Sequence, residues 1–234
     1  IQNIYNMKYL KDSKFRKPRI WSNKELLKFK DFFYGDVLNA SGWKDQDKEG
    51  FLYKEKYFKN CKNYYISNFK KDFRGFQGNL KNEFFLDLEK ELNSKYNKKF
   101  DIVFNHTTLE HIFNSFIAFK NLCQLSKDLV IIIVPFLQEE HGNYGDYWRY
   151  TPQTLKKLFE INNFNLVYLN YNDSSSESIY IFAIGSRNNN YQKIINIEGN
   201  KISSIGLSLI GKNIIKNNFI KKFFFYIHKY LKND

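Results

Sequence analysis

The sequence predicts an α/β fold in which a mostly parallel sheet is covered by helices, and three observations carry that prediction. Asp101 to Phe104 is a short apolar run with β-branched residues that ends on the polar pair Asn105 and His106, as a buried parallel strand ends at the carboxyl edge of a sheet. Leu109 to Leu125 places Leu109, Ile112, Phe113, Phe116, Phe119 and Leu122 at helical spacing. Leu129 to Val134 is an unbroken apolar run, stopped by Pro135. Strand, helix, strand with nearly all-apolar strands is a βαβ unit, and its crossover rule sets the helix on one face of a parallel sheet.

The remaining elements follow in order. Ile1 to Pro18 is polar, basic and aperiodic, and Pro18 would interrupt a helix, so residues 1–21 read as an N-terminal arm. Ser22 with Glu25 fits a capping box, which starts a helix near Ser22 that runs to Phe33 and stops at Gly35. Asp36 to Leu38 is too short to read as a strand by itself; Tyr53 to Phe58 is a brief helix, Tyr64 to Phe69 a strand and Phe84 to Leu88 another, with Asp87 at its end. Beyond Pro135 the chain turns polar and aromatic, and Thr151-Pro152 opens a helix over Gln153 to Phe159. Asn165 to Tyr171 and Ser178 to Ile184 are two further strands around a hairpin-like loop, Asp173 to Glu177. After Arg187 the pattern changes. From Ile205 to Leu231, Ile, Leu and Phe recur near one helical face with lysines largely elsewhere. This basic amphipathic extension, residues 188–234, has three open readings: packing on the domain or a second subunit, contact with an anionic membrane surface, or disorder.

Composition narrows the class. With 43% hydrophobic residues, 24 Phe and 17 Tyr, the chain of 234 residues can bury a sizeable core as one domain over 22–187 with appendages. Its two cysteines, Cys61 and Cys123, have no metal-ligand spacing and read as free thiols in a reducing cytoplasm. No signal peptide pattern is visible and no apolar run is long enough to span a bilayer. A net charge of +13 invites an anionic partner. The abundance of Lys, Asn, Ile, Phe and Tyr with only 3 Pro also matches AT-rich coding bias, which raises Lys without any ligand.

The strings FDIVFNHTTLEHIF, LVIIIVPF and YWRYTPQTLKKLF, in this order, resemble the second half of class I S-adenosylmethionine (SAM) dependent methyltransferases over roughly Phe33 to Arg187. The resemblance implies a Rossmann-like seven-stranded mixed sheet with helices on both faces and one late strand inserted antiparallel. It implies SAM as cofactor, S-adenosylhomocysteine as product, and no metal. With WSNKELLKF near the start, the whole looks most like bacterial members associated with surface polysaccharide. That implies O-methylation of a small or glycan-linked acceptor in capsule biosynthesis, in the cytoplasm, with contact to the inner membrane as an alternative.

The same resemblance assigns candidate residues. Asn39, Ala40, Ser41 and Gly42 stand where the family's glycine-rich turn lets backbone approach the cofactor, although Asn39 replaces the usual acid and Trp43 follows. Asn68 stands where an acid accepts both ribose hydroxyls, and Asp87 with Leu88 where the adenine edge is read. Asn105 ends the fourth strand beside the expected donor. His106, His111 and His141 are candidate bases or orienting groups, each with a hydrogen-bonded structural role as the plain alternative. Tyr144, Tyr147 and Trp148 suit a stacking wall, and Arg74 with Arg149 would favour a phosphate-bearing acceptor. The departures at the first turn and at Asn68 keep a second function open, a non-catalytic methyltransferase-like module in an envelope assembly. The charge suggests a third, RNA methylation, ranked last because no Asn-Pro-Pro-aromatic motif is present.

Overall fold

The apolar runs pair as strands, buried in the centre of the sheet and half-exposed at the edge strand Glu83–Phe85. The computed structural model describes residues 12–70, 75–142, 145–188 and 192–212. Its strands are β1 (Asp36–Ala40), β2 (Asn63–Asn68), β3 (Glu83–Phe85), β4 (Phe100–His106), β5 (Ser126–Leu137), β6 (Asn165–Tyr171) and β7 (Ile179–Ser186). They form one seven-stranded sheet in the order β3-β2-β1-β4-β5-β7-β6. All neighbours from β3 to β5 are parallel, and β7 runs antiparallel between β5 and β6. The strand order reverses between β1 and β4, so the crevice beyond their carboxyl ends is the topological switch point.

The alternation along β5 divides the core. Val130, Ile132 and Val134 pack under α3 (Ser115–Leu125) and α4 (Pro152–Ile161), through Phe119, Leu122, Leu155 and Phe159. Leu129, Ile131 and Ile133 pack on the other face with Phe29, Phe33, Phe58 and Phe182, beneath α1 (Lys17–Leu27) and α2 (Tyr53–Lys56). The mixed sheet with helices on both faces is the architecture that the sequence predicts.

Several boundaries differ. Helical structure begins at Asp12, as a π-helical turn through Arg16 that continues into α1 at Lys17, with Pro18 in the first turn of the α-helix. Ser22 lies inside it and caps nothing. The inward face of α1 is polar, which hides it from a search for apolar periodicity: Ser22 meets His106, Asn23 accepts from the Tyr53 hydroxyl, and Glu25 accepts from Tyr168 and Asn170. The helix expected from Leu109 starts only at Ser115, after a 3-10 turn at Leu109–His111. Tertiary bonds divert its first turn, since the Glu110 carbonyl accepts from the Tyr147 N–H at 2.7 Å and the Asn114 N–H goes to the Glu89 carboxylate at 3.0 Å. β3 ends at Phe85, so Asp87 sits in the loop beyond it. Residues 205–211 form turns, and the rest of the amphipathic extension lies outside the described residues. Among the described residues, no helix is long and apolar enough to cross a membrane.

Candidate functional site

A cavity of about 570 Å³ opens above the carboxyl ends of β1, β2 and β4. Its wall includes Asn39, Ser41, Gly42 and Trp43 after β1, Asn68 at the end of β2, Asp87 and Leu88 after β3, and His106, Thr107 and His111 after β4. Arg19 from α1 and Tyr147 from the loop before α4 complete it. The size falls inside the roughly 300–1,000 Å³ range of small-molecule sites. Trp43 borders this space and does not fill it.

The turn after β1 keeps left-handed backbone without the family's glycines: Ser41, Trp43 and Asp45 have φ of 61°, 48° and 56°. Each such non-glycine residue stores about 1 kcal/mol or more of strain, which the surroundings must hold in place. Asn68 supplies one restraint, since its amide accepts from the Trp43 N–H at 2.8 Å and donates to the Trp43 carbonyl at 3.2 Å and to Glu83 at 2.8 Å. Asp45 supplies another. It is buried, accepts from Asn39 at 2.9 Å and from the Tyr64 hydroxyl at 2.6 Å, and burial pushes its carboxyl above the usual range. Gly42 is required by close approach, because a Cβ there would lie 2.6 Å from the Asn39 amide nitrogen.

At the other end of the cavity, Arg19 donates from Nη2 to Thr107 Oγ1 at 2.7 Å, and its Nε is buried with no partner among the described residues. His106 Nε2 lies 2.9 Å from Ser22 Oγ, whose own proton goes to the Arg19 carbonyl. That assignment puts a proton on Nε2 and leaves Nδ1 as the acceptor nitrogen. Burial, reinforced by Arg19 and Lys48, holds His106 well below its ordinary pKa, so the ring is neutral. His111 Nδ1 bonds the Gly145 carbonyl at 2.6 Å, and burial lowers its pKa to about 4. Beside it, Glu110 is buried and its pKa is raised to about 8 by desolvation.

The structure brings Asn39, Ser41, Gly42, Asn68, Asp87, Leu88, His106, His111 and Tyr147 to one cavity. Other candidates stand elsewhere. Ala40 and Asn105 are fully buried beneath it, and the Asn105 amide donates to the Ala40 carbonyl to tie β4 to β1. His141 sits behind His111, ring centroids 5.0 Å apart. Trp148 packs edge-on against Phe116 and donates to the Phe113 carbonyl. Arg149 spends all five of its donors on Asp146 and on the carbonyls of Gln138, Glu139 and Trp148. It fastens the loop and offers no donor to a phosphate. Arg74 and Tyr144 lie outside the described residues. Sequence reasoning misses Arg19, because a proline at position 18 reads as a helix breaker whereas the helical chain runs through it, and Glu110, the acid inside Leu-Glu-His.

The strand order and the crevice at the β1/β4 switch point define the fold of class I SAM-dependent methyltransferases. The chain is similar to a solved SAM-dependent methyltransferase from Clostridium acetobutylicum, at 13% identity and TM-score 0.53, over 78% of this chain and 98% of that one. It is similar to another from Archaeoglobus fulgidus, at 16% identity and TM-score 0.53, over 76% of this chain and 99% of that one. No protein-family model matches the sequence, and no curated sequence matches it.

Proposed function

We propose that the protein is a SAM-dependent methyltransferase that methylates an oxygen of a small or glycan-linked polar acceptor. The observation that carries this reading is the cavity itself, which sits at the switch point with a narrow turn at one end and Arg19, His106 and His111 at the other. Two features support the cofactor: Gly42 lets the turn lie close against the Asn39 side chain, which a Cβ would strike, and Asp87 keeps one carboxylate oxygen beyond the bond from the Glu89 N–H. Asn39, Ser41, Gly42 and Trp43 would border its amino-acid end, Asp87 and Leu88 its adenine. Asn68, already engaged with Trp43 and Glu83, buttresses the wall.

SAM, when bound, supplies an electrophilic methyl on a sulfonium. The chain's own part is to hold the acceptor oxygen in line and to keep water out. Arg19 orients an acceptor through its remaining donors, and neutral His106 accepts the hydroxyl proton at Nδ1. The assignment to surface polysaccharide rests on the sequence resemblance. Incubation with methyl-labelled SAM and a panel of nucleotide-linked and free sugars should transfer label to a hydroxyl-bearing acceptor, and label on no member of the panel, nor on the cell's own glycan extract, would overturn the reading. Label transferred instead to RNA would favour the nucleic-acid alternative.

A further inference from the structure

Glu110 presents a problem of charge. Its side chain is 1% exposed, and neither carboxylate oxygen has a hydrogen-bond partner among the described residues. A carboxyl group taken out of water without a hydrogen-bond partner is costly, and native interiors rarely keep one. Two imidazoles face it, and the charges of Arg19, Arg149 and Asp146 act on it from farther off. His111 Nε2 lies 3.8 Å from Glu110 Oε1, and one ligand atom each from Glu110, His111 and His141 lies within 4.8 Å of the others.

We propose that Glu110, His111 and His141 form a binding site for a divalent transition metal ion of the zinc class. The donor set is two imidazole nitrogens and one carboxylate oxygen, which suits zinc with a position left for water or a ligand oxygen. Both rings are held from behind as metal-binding histidines are. His111 Nδ1 is turned to the Gly145 carbonyl at 2.6 Å, which directs Nε2 toward Glu110. His141 Nδ1 lies 3.2 Å from Asp146 Oδ2, and Asp146 is itself gripped by both terminal nitrogens of Arg149. Carboxylate, imidazole and ion in series is the arrangement that fixes tautomer and ring orientation around a metal.

The geometry needs modest closure. Ligand atoms around a tetrahedral zinc stand roughly 3.4 Å apart, given metal–ligand distances of about 2.0–2.1 Å. The Glu110–His111 pair, at 3.8 Å, is already near that spacing, and with all ligand atoms within 4.8 Å no pair needs to draw in by more than about 1.4 Å. His141 lies on the loop that follows β5. The ion would staple that loop to the turn after β4, and His111 would carry it to the edge of the cavity. The proposal does not depend on methyl transfer, and its test reads metal alone.

Tag-free full-length protein, stripped with a chelator and dialysed, is titrated with zinc against a chromophoric competitor and, separately, with cobalt(II) while the visible spectrum is recorded. The expected result is one tight equivalent of zinc, with cobalt bands in the visible. His141→Ala and Glu110→Gln should each weaken zinc binding at least ten-fold and erase the cobalt bands, with far-ultraviolet circular dichroism unchanged. Asp146→Asn, which leaves the three ligand side chains in place, should weaken binding by a smaller factor, with its folding checked by the same circular dichroism. Absence of zinc binding and of cobalt bands in folded wild-type protein overturns the proposal, as does zinc affinity that His141→Ala leaves unchanged.

Discussion

Arg19 on α1 reaches Thr107 Oγ1 with a 2.7 Å hydrogen bond, and so joins the first helix to the residue that follows β4. Three residues along the same helix, Ser22 meets the His106 ring. One helix therefore positions both the guanidinium and the imidazole that face the cavity.

Replacing Arg19 by alanine removes the acceptor-orienting donors and leaves the turn after β1 intact. Methyl transfer should fall by about ten- to a hundred-fold in kcat/KM, the ~1.4–3 kcal/mol of a charge-assisted hydrogen bond, with S-adenosylhomocysteine affinity little changed. Steady-state kinetics beside calorimetric titration separates the two. Equal loss of both would mean that Arg19 serves the cofactor.

Gly42→Val drives a side chain into the Asn39 amide, which a Cβ alone would meet at 2.6 Å. The turn must shift, so cofactor affinity should drop by more than about ten-fold, with stability lower by about 1–3 kcal/mol. Titration with S-adenosylhomocysteine and urea unfolding measure these directly, and unchanged affinity would remove Gly42 from the cofactor wall.

His106 makes the fold sensitive to acid. Buried beside Arg19, it is held well below its ordinary pKa of 6.5. Below about pH 6.5 the unfolded chain binds a proton there while the folded chain does not. Its contribution to stability is therefore complete above that pH and is lost progressively as pH falls toward the lower folded value. His106→Gln should flatten the decline of melting temperature between about pH 6.5 and 5, the interval where the two states differ in protonation. An identical acid slope in the variant would show that His106 is not desolvated.

Arg149 should behave as a structural residue. Its bonds to Asp146, both 2.6 Å, and to three carbonyls hold the loop before α4. Arg149→Ala should cost about 2 kcal/mol in urea unfolding, because Asp146 is left buried without its charge partner. Its effect on KM should be no greater for phosphorylated acceptors than for neutral ones. A selective loss with phosphorylated acceptors would restore Arg149 as a phosphate ligand.

The sheet was legible because its central strands are so apolar. Leu129 to Val134 admits burial on both faces, and the polar pair Asn105 and His106 marks the strand end that faces the crevice. What was illegible depends on tertiary partners. The inward face of α1 is Ser22, Asn23 and Glu25, so only the polar groups it meets reveal that it is buried. The Leu109 turn fails to be helix because Tyr147, far along the chain, takes the Glu110 carbonyl. Arg149 and Trp148 carry the chemistry of a ligand clamp in sequence, yet their donors are consumed by nearby carbonyls and by Asp146. The first turn looked unsuited to a cofactor for want of glycine. Its left-handed positions are instead held by Asn68 and Asp45, whose roles emerge only once β1 and β2 are paired.

The most direct measurement is isothermal titration of S-adenosylhomocysteine and SAM into the purified full chain. Saturable binding at one site, competed between the two ligands and weakened by Gly42→Val, is the predicted result. A folded protein that binds neither ligand would contradict the central claim that this cavity receives an adenosyl cofactor.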